Sequence, residues 1–179
     1  MTPPFSSRLA TPADIPALHE LMNASIQVLL GQFLQGEELA AAYGIMGIDT
    51  QLIDDGTYFA IEAGDVIVGC GGWSRRSTLF GGDHTPGRDA ALLSPERDAA
   101  RVRAMYTHPD WARRGIGRLV LSLCETAAAS EGFTRVELVA TPAGEPLYRA
   151  CGYRELERWD EVTPDGIALP VLRMGKSLG

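Results

Sequence analysis

Nowhere in the 179 residues does an apolar run approach the roughly 18 residues of a membrane-spanning helix, so no membrane partner is expected. The opening stretch from Met1 to Pro16 has no apolar core of the signal-peptide kind, and a cytoplasmic location is the expectation. Cysteine is scarce. Cys70, Cys124 and Cys151 are odd in number and lack metal-ligand spacing, so they read as reduced thiols, with neither a disulfide framework nor a metal site. Basic residues are outnumbered, 16 Lys and Arg against 23 Asp and Glu. The resulting charge of −7 argues against nucleic acid as the partner, because binding a phosphate backbone draws on Lys and Arg. An acidic surface tolerates a cationic amine, but the same charge also simply keeps a protein soluble. There is no internal repeat and no low-complexity tract. The length suits one domain, residues 1–179, with one core.

What the chain does have is concentrated between Arg101 and Gly132. Val102, Ala104 and Tyr106 alternate with Arg103, Met105 and Thr107, the period of a strand. Pro109 stops that strand and biases His108 towards an extended conformation. Ile116, Leu119, Val120, Leu123 and Ala127 then recur at helical spacing, and Gly132 stands where a helix-ending glycine belongs. Between strand and helix lies Ala112-Arg113-Arg114-Gly115-Ile116-Gly117-Arg118. A helix start leaves backbone N–H groups without partners, at the positive end of the dipole. Gly115 and Gly117 have no Cβ, so a phosphate can come close to the backbone, and Arg113, Arg114 and Arg118 add charge beside it. The plainer reading of the same residues is a strand-to-helix turn with solvated arginines.

Two familiar phosphate turns are excluded or weakened. A Walker loop needs Gly-Lys-Ser/Thr, and Gly117 is followed by Arg118-Leu119. A dinucleotide fingerprint needs a third glycine where Val120 stands, although Glu137 falls near its acidic position. The long segment His108 to Arg114 and the short remaining chain also speak against a nicotinamide-binding oxidoreductase.

Along the rest of the chain, Ser7 to Ala10 reads as a strand and Thr11 to Asp14 as capping chemistry. Ile15, Leu18, Leu21, Met22, Ser25, Ile26 and Leu29 form an amphipathic helix, and Glu37 to Met46 a second, with a less defined piece to Asp54. Thr57 to Ala63 and Val66 to Trp73 form a hairpin whose glycine-rich second arm suggests a bulge or close backbone approach. Arg75 to Ala100 lacks periodicity and reads as a functional or mobile loop. Thr134 to Ala140 makes a strand parallel to the one before the turn. A short helix, Glu145 to Cys151, precedes a closing hairpin, Tyr153 to Thr163 and Ile167 to Met174, turned by Pro164-Asp165-Gly166. The sum is an α/β fold of the α+β kind, a mixed sheet of about seven strands flanked by helices.

The segment from Thr107 to Arg118 resembles the acyl-CoA loop of the GNAT superfamily, the CoA-dependent N-acyltransferases. A second stretch, Leu147-Tyr148-Arg149-Ala150-Cys151-Gly152-Tyr153, resembles that family's late Tyr-x-x-x-Gly-Phe/Tyr element, at the expected distance. Together with the early helices and both hairpins, the resemblance covers most of the chain. It implies a GNAT-like, mostly antiparallel sheet with one central parallel pair and a bulged strand before the loop. It implies acetyl-CoA as the donor, held by the backbone at Met105, Tyr106 and Thr107 and by Ala112, Arg113, Arg114, Gly115, Ile116, Gly117 and Arg118. Tyr148 is then the acid that protonates the leaving thiolate. The acceptor would be an amine of a small molecule or peptide, and homodimers are common in the family.

Two departures from the family pattern stand out. Ala112 occupies a position that is usually Gln or Arg, and Thr141-Pro142-Ala143-Gly144 lacks the asparagine many relatives carry. They motivate the alternative of a noncatalytic acyl-CoA-binding or sensor module. The general base is open among Glu62, Glu96, Asp98 and Glu137, each equally readable as a structural carboxylate. His108 reads as a loop residue, and His19 and His84 carry no signal. Trp73, Trp111 and Trp159 could line an acceptor pocket but are more simply packing residues.

Overall fold

The computed structural model describes residues 4–179 and shows one seven-stranded sheet in the order β1-β2-β3-β4-β5-β7-β6. The strands are β1 (Ser6–Leu9), β2 (Tyr58–Ala63), β3 (Val66–Ser74), β4 (Ala100–Thr107), β5 (Arg135–Ala140), β6 (Arg154–Val162) and β7 (Ala168–Ser177). Every neighbouring pair is antiparallel except β4 and β5, which run parallel in the middle. The helices are α1 (Ile15–Val28), α2 (Glu37–Ala42), α3 (Thr50–Asp54), α4 (Ile116–Ser130) and α5 (Glu145–Ala150). No described helix is long and apolar enough to cross a membrane. The span expected of the domain, 1–179, includes Met1 to Pro3, which lie outside the described residues.

The two faces of the sheet carry separate cores. Leu18, Met22 and Ile26 of α1, Ala42 of α2 and Leu52 of α3 pack with Tyr58, Ala60, Cys70 and Tyr106 on one face. Ile116, Val120, Leu121, Cys124 and Ala128 of α4 pack with Val68, Trp73, Val102, Val136 and Leu138 on the other. The glycines of β3 serve this second layer. A Cβ on Gly71 would stand 2.6 Å from Val120 Cγ1, and one on Gly69 would collide with Ile116, so α4 lies tight against the strand. Gly132, at φ 95°, closes α4 where the spacing placed it, with Phe133 N–H donating back to Ala128 O at 3.2 Å.

Three readings of the sequence need correction. The alternation expected along β4 breaks: Val102 and Met105 side with α4, while Ala104 and Tyr106 pack on the opposite face, and Arg103 is buried. The cause is a β-bulge. Gly72 pairs with Arg103 and Cys70 with Tyr106, so only Gly71 opposes both Ala104 and Met105, and Ala104 sits at φ 51°. The second helix ends at Ala42, short of Met46, because the chain turns through Gly44 and Gly47; α3 then starts afresh, capped by Asp49 accepting from Gln51 N–H at 3.1 Å. The loop after β3 is tied down rather than loose. Arg76 pairs with Asp55 at 2.8 Å, Arg88 with Asp49 at 2.8 Å, and Thr78 Oγ1 donates to Asp89 O at 2.8 Å.

Candidate functional site

The site opens where the central strands part. β4 and β5 pair only at Ala100 with Val136 and Arg101 with Glu137, and beyond these residues they diverge. Into the gap open Met105 and Tyr106 from β4, Leu138 and Val139 from β5, and Thr141 and Tyr148 beyond it, around a cavity of about 110 Å³. Arg103 is the one ionisable side chain with a formal charge at neutral pH among the described lining residues. His108 N–H donates to Val68 O at 2.9 Å. Antiparallel alternation then turns the N–H groups of Met105 and Thr107 to the other edge of β4, towards β5, where pairing has stopped.

Between β4 and α4 lies the glycine turn. His108 caps a short 3₁₀ turn, Pro109–Trp111, by accepting from Asp110 N–H at 3.1 Å, so it is the loop residue expected. Arg113 at φ 61° and Gly115 at φ 86° then bend the backbone into α4. Among the described residues, none of the N–H groups from Arg113 to Arg118 has a backbone acceptor. Arg113, Arg114 and Arg118 are exposed and make no ion pair with any described residue, although Arg114 stacks on Trp111 with its guanidinium 4.8 Å from the ring. Free N–H groups, the positive end of a 15-residue helix and three guanidinium groups are the features by which a turn attracts an anion.

The two glycines of that turn act differently. A Cβ on Gly115 would meet open space, and its left-handed φ is what requires glycine. A Cβ on Gly117 would fall on the Leu147 side chain, so its missing side chain lets α5 pack onto α4. Ala112 is half-buried and its backbone N–H bonds to Pro109 O at 3.3 Å.

That packing places Tyr148. Its ring occupies the space a Cβ on Gly144 would take, meets Tyr153 edge-on at 6.0 Å, and points its hydroxyl at Met105 Sδ, 3.8 Å away. Burial holds the Tyr148 phenol above its ordinary value, so it remains a proton donor at neutral pH. The two stretches singled out in the sequence therefore meet: the bulge of β4 and Tyr148 line one cleft, and the turn before α4 reaches them through the packing of Gly117 on Leu147.

A model of the acetyltransferase (GNAT) family matches residues 20–153. The chain belongs to the GNAT acetyltransferase family. No curated protein sequence matches it. Solved GNAT structures share its fold. A GCN5-related N-acetyltransferase from Rhodopseudomonas palustris superposes with a TM-score of 0.71 at 19% identity, covering 96% of this chain and 94% of that one. The PaiA N-acetyltransferase of Thermoplasma acidophilum, in complex with coenzyme A, has a TM-score of 0.64 at 12% identity, covering 97% and 98%. The yncA protein of Salmonella typhimurium, with its cofactor acetyl-CoA, has 0.63 at 19%, covering 98% and 95%.

The candidate carboxylates for the general base of this GNAT protein lie elsewhere. Glu62 pairs with Arg8 at 3.0 Å, Glu137 with Arg101 at 3.0 Å, and Asp98 accepts from Ser94 N–H at 2.7 Å. None of these, nor Glu96, lines the cleft. The tryptophans are packing residues: Trp73 is buried against Phe133, Trp111 meets Phe5, and Trp159 donates to Glu161. Periodicity missed other residues. A second cavity, of about 330 Å³, is lined by His19, Asn23, Tyr43, Asp83 and His84 and shares Met46 with the cleft. His84 Nε2 donates to Tyr43 O at 3.0 Å, because a carbonyl can only accept. Leu79 and Phe80, from the loop after β3, also line the cleft.

Proposed function

We propose that the chain, as one domain over 1–179, is an N-acetyltransferase that moves an acetyl group from acetyl-CoA to a primary amine of a small molecule or peptide. The observation that carries this reading is the cleft between β4 and β5, lined by Met105 and Tyr148, together with the unpartnered N–H groups of Arg113 to Arg118 at the start of the helix that packs on α5. The residues present fit an acyl-CoA. Arg113, Gly115, Ile116, Gly117 and Arg118 would hold its pyrophosphate through backbone N–H groups, with the three guanidinium groups adding charge. Backbone at Met105, Tyr106 and Thr107 would run beside the pantetheine arm.

The amine attacks the thioester carbonyl directly, in a ternary complex. Charge developing on the carbonyl oxygen needs a preorganised donor, and the Met105 N–H offers one. The departing sulfur needs a proton, and the Tyr148 phenol supplies it; the attacking nitrogen sheds a proton as the amide forms, and that proton restores the phenol. An alkylamine has a pKa of about 10.4 in water, so it must enter neutral. The cleft wall is apolar apart from Arg103 and a few polar groups, and desolvation beside a cation favours the neutral amine.

Calorimetric titration with CoA and acetyl-CoA, followed by thiol release against a panel of amines, tests this reading. Binding with turnover supports it, and absence of CoA binding overturns it. Because no carboxylate or imidazole of the described residues lines the cleft, an acyl-CoA sensor of the same fold is the second reading, and binding without turnover would favour it.

A further inference from the structure

Tyr58 lies on β2, two strands away from the cleft, and is 1% exposed. Its ring crosses β3 at Gly72, where a Cβ would stand 2.8 Å from Tyr58 Cδ1, so any larger residue would block the crossing. Its hydroxyl then donates to Ala104 O on β4 at 2.6 Å, and Cys70 Sγ lies 3.1 Å from it. Ala104 is the bulge residue at φ 51°, a left-handed conformation that is strained for a residue with a Cβ. Neither Ala104 nor Met105 has a register partner on β3. The carbonyl of Ala104 would therefore have no ladder donor, and Tyr58 supplies one.

The consequence follows from peptide geometry. A trans peptide is planar, with its C=O and N–H pointing to opposite sides. Ala104 C=O and Met105 N–H belong to the same peptide. Anchoring the oxygen on Tyr58 turns the N–H the other way, to the edge of β4 that faces β5 and the cleft lined by Met105, Leu138 and Tyr148.

We propose that Tyr58 is a positioning residue: through the Ala104 carbonyl it aims the Met105 N–H at the acyl oxygen in the cleft. The proposal rests on the acetyl-CoA reading above and adds to it a residue remote from the substrate. Burial holds the Tyr58 phenol far above its ordinary value, so the donor does not ionise in the working range. The arrangement sets the orientation through buried backbone and a buried ring. Gly72 is part of it, since it gives the ring its path.

Tyr58→Phe tests the idea with two readouts. The first is kinetic: kcat falls roughly tenfold to a hundredfold while the Kd for acetyl-CoA stays within about twofold, the pattern of a donor that acts in the transition state. The second needs no acceptor. The carbonyl stretch of ¹³C-labelled acetyl-CoA moves to lower frequency on binding the wild-type protein, and the variant loses that displacement. Should Tyr58→Phe alone not fold, Ala104→Gly beside it relieves the left-handed backbone without restoring the hydroxyl, and the double variant is compared with Ala104→Gly alone. A variant that keeps both the wild-type band and the wild-type kcat makes Tyr58 a packing residue and overturns the inference, leaving the acetyltransferase reading intact. A bound carbonyl with no displacement in the wild type also overturns it. Failure of acetyl-CoA to bind overturns both.

Discussion

Arg103 and Asp49 form an ion pair that water hardly reaches: Nη2 lies 2.9 Å from Oδ2, with the side chains 2% and 1% exposed. The other oxygen of Asp49 accepts from Arg88 at 2.8 Å and from Gln51 N–H at 3.1 Å, while Arg103 also donates to Gly81 O at 2.7 Å. One carboxylate thus ties the start of α3, the middle of β4 and the loop that supplies Leu79 and Phe80 to the cleft. Arg103 Nε has no partner among the described residues, and burial lowers the pKa of the guanidinium, both signs of a cation held at a cost.

Removing the carboxylate leaves that cation uncompensated. Asp49→Ala is expected to lower stability by about 3 to 5 kcal/mol, the range for breaking a buried pair from one side. Urea unfolding followed by circular dichroism measures it. A loss below about 1 kcal/mol would mean that water enters the site readily.

Tyr148→Phe keeps the ring and removes the proton donor. The expected loss in kcat is about a hundredfold, with acetyl-CoA affinity unchanged. The wild-type pH profile makes a companion test. Because burial raises the phenol above its ordinary value of about 10, kcat shows no fall from Tyr148 ionisation below pH ~10. A descending limb near pH 8 or 9 that disappears in Tyr148→Phe would contradict this (those pH values being roughly where a depressed phenol would titrate).

The turn before α4 should behave as an electrostatic site. Replacing Arg113 and Arg118 by Ala weakens CoA binding several-fold, and the difference from wild type shrinks as salt is added. Gly117→Ala acts by another route. It presses on Leu147 and so displaces α5, and is expected to lower kcat through Tyr148 more than it weakens CoA binding. Titration calorimetry and steady-state kinetics on the same preparations separate the two effects; equal losses in Kd for all variants would erase the distinction.

Far from the cleft, Arg8 grips the first helix. Its guanidinium lies 2.8 Å from Asp14 and holds that carboxyl at a pKa of about 2, helped by a bond from Thr11 N–H at 2.8 Å. A carboxyl whose folded pKa lies below its unfolded value of about 3.9 stabilises the fold above that value. The contribution disappears as pH falls through about 2. Stability should therefore drop between pH ~4 and ~2, and Asp14→Asn should flatten that part of the profile. Denaturant midpoints across this range decide the matter.

Elements whose signals are local are legible in the amino-acid order. The 3.6-residue stripe of α4, the glycine after it, the β2–β3 hairpin and the turn from Ala112 to Arg118 all follow from spacings within a few residues. The proximity of the turn to Tyr148 is legible too, but only because two motifs stand in the order a known family uses. Glu62, Glu96, Asp98 and Glu137 are indistinguishable as bases at that level, since nothing in a strand's own residues says which cross-strand arginine will claim them.

Local sequence was enough for most helices and strands and for the glycine turn before α4, because backbone propensity and hydrophobic period act over neighbouring residues. Three features came instead from the assembled sheet. The first is the insertion of β7 between β5 and β6, a choice made by pairing across the whole sheet. The second is the reversal of faces along β4 at the bulge, where one extra residue opposite Gly71 undid an alternation that looked regular. The third is the meeting of Tyr58 with Ala104, and of Asp49 with Arg103, across 46 and 54 residues of chain. Contacts at such separations leave no period in the sequence, because what places them is the packing of the sheet against its helices and not the preference of any one segment.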